Sequence, residues 1–207
     1  MERKDNYALQ VRQAQQYFLK YDQQKLMEKL KLKSDETYLY AVMLSTPYRI
    51  HRFTGELERL EDTKWQDANT HGEYMTLLDL ICDSREDRHL ACRFQNMSTF
   101  GRVFHSSLLE SRDPFAEMVQ ENQEDFCRAC TGLQGVPVKM GDICYAFDLF
   151  DGLPVALQFW EGDEEFPPKV NILWDENALM YLKYETMWFA VGMLKRRILE
   201  KMKTLTD

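Results

Sequence analysis

Residues 157–185 read LQFWEGDEEFPPKVNILWDENALMYLKYE. Val155, Leu157 and Phe159 alternate with Ala156, Gln158 and Trp160, the period-two pattern of a strand with two differently filled faces. Gly162 breaks the run, and Asp163, Glu164 and Glu165 follow as consecutive carboxylates. Pro167 and Pro168 have no N–H to give a ladder and push Phe166 and Pro167 toward extended backbone. The β-branched and apolar run Val170 to Trp174 predicts a second strand. Asp175 has the chemistry of an N-cap, with Ala178, Leu179, Tyr181 and Leu182 forming the apolar side of the turn it opens.

Working outward, Ile143, Tyr145, Phe147 and Leu149 alternate, and Asp151-Gly152 supplies a two-residue hairpin turn before Val155. With Val170–Trp174 these segments predict a three-stranded antiparallel meander. A second meander is expected from Tyr38–Met43, Tyr48–Phe53 and Leu57–Leu60, with turns at Ser45-Thr46-Pro47 and Thr54-Gly55. Leu90–Phe94 is a further strand candidate, and 98–107 shows no period and reads as loop.

Four helices are expected around these strands. The first covers about 5–30, with Tyr7, Val11, Ala14, Phe18 and Tyr21 at helical spacing. Thr70 and Glu73 have capping-box spacing, ahead of a stripe at Tyr74, Leu77, Leu78 and Ile81. Asp113-Pro114 starts a third helix, carried by Phe115, Met118, Val119, Phe126 and Cys130 and ended by Gly132 and Gly135. The chain closes on a long helix with a stripe at Met187, Val191, Leu194, Ile198 and Met202 and a basic last half. The expectation is one α+β domain over residues 1–207, with about six antiparallel strands and about four helices.

GDEEFPP, followed by ILWDENALMYL and a Glu-led helix, resembles the C-terminal signature of the domain-of-unknown-function 3786 family. Trp174 stands where that pattern more often has Phe, and 90–104 resembles the family's middle segment more loosely. The resemblance implies a fold and a setting in anaerobic bacteria and archaea, with no activity or cofactor attached. Some relatives carry an iron–sulfur domain ahead of this one, which would imply redox or one-carbon metabolism. The cysteine motif of that domain does not occur in these residues.

A net charge of −8 argues against nucleic acid as a partner, because such proteins carry a basic footprint. No apolar run approaches the roughly 20 residues that span a bilayer, so no membrane partner is expected. The N-terminus has no hydrophobic segment behind its charges, and five cysteines fit no disulfide framework. A cytoplasmic location is therefore expected.

Cys127 and Cys130 form a C-x-x-C late in a predicted helix, the wrong end for activating a thiol, and read as structural. His51, His71, His89 and His105 are scattered, and no motif pairs them with Cys82, Cys92 or Cys144. The acidic turn holds more tension. Three adjacent carboxylates repel, so solvent, a cation or a basic partner must hold them. One reading is a solvated turn. A second is a fold-locking network with Lys195, Arg196 or Arg197. A third is a ligand-binding surface of Trp160, Asp163, Glu164, Glu165, Phe166 and Asp175, with Trp174 beside it. Convergence of Asp163, Glu164 and Asp175 would offer oxygen ligands to a hard cation.

Two function classes follow. The first is a non-catalytic module binding a small ligand or protein partner through an acidic and aromatic surface. The second is a carboxylate-dependent, metal-assisted hydrolase centred on 163–175.

Overall fold

A computed structural model describes residues 2–68, 70–101 and 113–206. It shows an α+β protein whose strands are all antiparallel. Six α-helices and ten strands lie among the described residues. The strands form two sheets of five, where the sequence predicts about six strands in one. The further strand expected at Leu90–Phe94 falls instead on Phe94–Asn96, and the other three additional strands are two to four residues long, too short for a period-two pattern to register. Two compact units emerge: residues 1–89 with 179–193, and residues 90–178 with 194–207.

The first unit opens with α1 (Glu2–Phe18) and α2 (Gln23–Leu30). The single helix expected over 5–30 is therefore broken. Asp22 breaks it, its carboxylate accepting from the free N–H groups of Gln24 and Lys25. Five strands follow in sequence order: β1 (Lys33–Ser34), β2 (Tyr38–Met43), β3 (Thr46–His51), β4 (Leu57–Glu61) and β5 (Lys64–Asp67). The β2–β3 turn falls on Leu44 and Ser45, both at positive φ, one residue before the Ser45–Pro47 turn that composition suggests. Helix α3 (His71–Asp83) starts at the Thr70 cap, whose hydroxyl accepts from the Glu73 N–H. Its apolar stripe is buried, together with Phe18, Leu39, Ile50 and Leu57.

The second unit contains β6 (Phe94–Asn96), α4 (Pro114–Glu121), α5 (Gln123–Gly132), β7 (Val136–Pro137), β8 (Ile143–Phe150), β9 (Leu153–Trp160) and β10 (Lys169–Asp175). Its sheet order is β6-β10-β9-β8-β7. The β8–β9 hairpin turns at Asp151 and Gly152, both at positive φ, as their chemistry predicts. Asn122 splits the expected 113–132 helix into α4 and α5. Part of the loop expected at 98–107 lies outside the described residues, and Met97–Thr99 forms a 3-10 turn. The last helix, α6 (Tyr184–Thr206), buries Met187, Val191, Leu194, Ile198 and Met202. No helix of the described residues is long and apolar enough to cross a membrane.

Candidate functional site

The 160–175 segment keeps its acidic turn together but separates it from Asp175. Trp160 closes β9 opposite Lys169, and its side chain is 45% exposed. Gly162 lies against Pro168, where an added Cβ would come within 2.6 Å of the ring nitrogen, so no side chain fits. The Asp163 carboxylate accepts from the Glu165 and Phe166 N–H groups, both at 2.8 Å, and the Asp163 N–H donates to the Phe166 carbonyl. Those backbone donors, Phe166 first, hold the exposed Asp163 carboxyl below its usual range. Glu164 and Glu165 point to solvent, and Phe166 is 67% exposed.

Asp175 belongs elsewhere. It is 1% exposed, and its carboxylate accepts from the Ala91 and Asn177 N–H groups, each at 2.9 Å. Six residue steps of β10, roughly 20 Å of strand, separate it from Lys169 beside the turn. The convergence of Asp163, Glu164 and Asp175 considered from sequence does not occur. Trp174 is fully buried. Lys195 of the basic last helix lies 3.7 Å from Asp113 and 4.7 Å from the Phe115 ring centroid, so Asp113 is its carboxylate partner.

Cys82, Cys130 and Cys144 are buried, while Cys92 is exposed and Cys127 partly so. Cys130 is buried on α5, which pushes its thiol up, and burial pushes Cys82 up to about 12 and Cys144 up to about 11. None lines a cavity described below. His89 is exposed, and His105 lies outside the described residues.

His51 and His71, scattered in sequence, line one cleft of about 800 Å³ in the first unit. Turns and helix starts explain how they reach it. At the β3–β4 turn Gly55 adopts φ +73° and comes so close to α1 that an added Cβ would sit 3.1 Å from the Gln15 backbone. Only glycine meets both demands. The turn is closed by His51 N–H to Glu56 O and Gly55 N–H to His51 O, each at 2.8 Å. That places His51 on one side of the cleft wall and Glu56, Leu57 and Glu58 on the other. Helix α3 opens with His71, and one turn later Tyr74 accepts from the Leu57 N–H at 3.0 Å.

Helix α1 supplies the facing wall through Tyr7, Ala8, Val11 and Arg12. The His71 ring lies 4.8 Å from that of Tyr7 and packs edge-on to Phe189 at 4.9 Å, with its Nε2 2.6 Å from Gln10 Oε1. Burial holds the His71 imidazole below its usual pKa, so the neutral form is favoured. His51 meets Tyr38 edge-on at 5.4 Å. Beside them Arg49 makes a bidentate pair with Glu58 at 2.7 and 2.8 Å, and its guanidinium stacks 4.1 Å from the Tyr38 centroid and 4.7 Å from that of Trp65.

Beneath α3's first turn Glu73, 1% exposed, accepts from Tyr48 and Arg59 at 2.8 Å and from Thr70 at 2.6 Å. Burial alone would push its carboxyl up, and these three donors outweigh it and hold the pKa low. The Thr70 half of the T-x-x-E box is present, and its glutamate takes the Thr70 hydroxyl and turns inward to anchor α3 on the sheet.

Sequence reasoning missed this cleft because its lining runs from Tyr7 to Tyr74 and no local spacing links the parts. No group of three or more His, Cys, Asp or Glu placed to hold a metal ion occurs among the described residues. A search of curated proteins and a search of solved structures each find no match. The profile of the family described as Domain of unknown function (DUF3786) matches residues 22–197, which take in most of the cleft lining, the acidic turn and both sheets, and the chain belongs to that family.

Proposed function

We propose that the protein is a non-catalytic cytoplasmic module that binds a small ligand in the cleft of its first unit. The observation that carries this reading is a concave space of about 800 Å³ in which aromatic rings and carboxylates face one volume. Ligand sites are typically clefts of about 300–1,000 Å³ with apolar walls and a few placed polar groups. Ala8, Val11, Leu57 and Ala68 supply the apolar share here, and Tyr7, Tyr38 and Tyr74 the aromatic share. The acidic and aromatic surface expected from sequence thus has a concave counterpart.

The second reading concerns the turn Trp160, Asp163, Glu164, Glu165 and Phe166 as a protein-partner surface. The exposure of two large rings beside three carboxylates favours it. Asp175 takes no part in that surface, being buried. The hydrolase alternative centred on 163–175 loses the convergence of carboxylates that it requires.

The test is a plug. Ala8 is exposed on α1 and lines the cleft, so Ala8→Trp fills space without entering the core. A library of aromatic and amine fragments, screened by thermal shift, should give hits that stabilise the native protein and fail on Ala8→Trp. Hits that stabilise both proteins equally would place the site elsewhere and end this reading.

A further inference from the structure

Resting on the cleft as a ligand site, we infer that its ligand is an organic cation with a ring-sized apolar body. The charge sits at the β4–β5 wall and the body lies against the tyrosines. The sheet register carries the first part of the case. Glu58 of β4 stands directly opposite Asp67 of β5, and Glu56 precedes β4 and lines the same cleft. Directly opposed like charges destabilise a sheet. Arg49, opposite Glu58 on the other side, neutralises that carboxylate with two hydrogen bonds. Asp67 makes no ion pair among the described residues, and Glu56 takes only the Thr54 hydroxyl at 2.9 Å and no cation. Both line the cleft. Arg12 is the only lysine or arginine among the lining residues, against Glu56 and Asp67 once Glu58 is paired with Arg49, so the wall keeps a small negative excess.

The same Arg49 also shows how this face seats a cation of its own. The Arg49 guanidinium rests over Tyr38 and Trp65 with a carboxylate at its edge, a cation seated on aromatic rings. Tyr38 and Glu58 of that arrangement also line the cleft, where Tyr7 and Tyr74 offer further rings. The sheet therefore builds one aromatic–carboxylate cation seat from its own chain and presents the same residue types to the neighbouring space. An anion would meet Glu56 and Asp67, with Glu58 held by Arg49 and Arg12 as the one lining cation beside them.

Three probes of one shape and different charge test this: phenethylamine, 2-phenylethanol and 3-phenylpropionate, titrated by calorimetry and by 15N–1H spectra. Phenethylamine should bind saturably, shift the amides of 56–58 and 67–68, and bind about fivefold or more tighter than the alcohol, the scale of one exposed ion pair. Asp67→Asn and Glu56→Gln, both at exposed positions, should bring the ratio of amine to alcohol affinity down toward one. Rising salt should weaken the amine selectively. Alcohol or propionate binding at the cleft as tightly as the amine overturns the cation assignment and leaves the cleft as a ligand site. Failure of all three probes to move any cleft amide overturns both.

Discussion

The acidic turn at 160–166 and the cleft of the first unit use the same residue types, rings and carboxylates, to opposite effect. The turn is closed on itself: Asp163 Oδ1 accepts from the Glu165 and Phe166 amides, and Trp160 and Phe166 stand out in solvent. The cleft is concave: Asp67 has no cation partner among the described residues, and three tyrosines and two histidines line one volume. Local clustering of chemistry is therefore a poor guide to a site. A hexapeptide can gather charge, whereas enclosing space takes a helix, a sheet and a second helix start.

The strongest way to break the comparison is to remove the anchor under the cleft. Glu73→Ala strips the acceptor from Tyr48, Arg59 and Thr70, and loss of one partner from a buried ion pair costs about 3–5 kcal/mol. Urea unfolding should show that loss, with ligand binding weakened because α3 is no longer pinned. The same carboxylate gives a pH signature. Its folded pKa is depressed, so its contribution is full above the unfolded value near 4.5 and is lost as pH falls through the lower folded value. Glu73→Gln should flatten that acid limb.

Next in size is Asp175→Ala, which leaves the Ala91 and Asn177 amides unpaired and costs about 1–3 kcal/mol. Asp163→Ala and Glu164→Ala, made side by side with it, should leave the melting temperature nearly unchanged. Equal losses at Asp163 and Asp175 would mean that the turn is as structural as the buried site.

A smaller effect belongs to His71. Burial lowers its folded pKa below 6.5, so the unfolded chain binds the proton first as pH falls. Stability is full above the unfolded value and declines as pH drops below it. Melting temperatures between pH 7.5 and 5 should show this decline, and His71→Asn should lessen it. An unchanged slope in the variant would assign the decline to other groups.

Residues whose neighbours in sequence are also their neighbours in space were readable in advance. Ile143 to Leu149 alternate over a full strand and meet Asp-Gly at the turn, so the β8–β9 hairpin follows from pattern alone. The Thr70 cap and the Asp113-Pro114 start were legible for the same reason. Leu44 and Ser45 were not, because neither has the Gly or Asn signature of positive φ and the turn is imposed by the pairing of β2 with β3. Asp22 and Asn122 interrupt apolar stripes that continue on both sides, so the breaks between α1 and α2 and between α4 and α5 left little trace. The acidic turn was legible as a motif, but the burial of Asp175 depends on Ala91, 84 positions away. The cleft was the least legible part: Gly55 beneath Gln15 and His71 beside Phe189 are contacts that no spacing rule anticipates.

The central claim, that the cleft and not the turn receives the ligand, is tested most directly by soaking crystals of the protein with phenethylamine and related aromatic fragments. Bound density should lie between α1 and the β4–β5 wall, in contact with Tyr38, Tyr74 and Asp67. Density gathered at Trp160 and Phe166, with the cleft unchanged, would contradict the account.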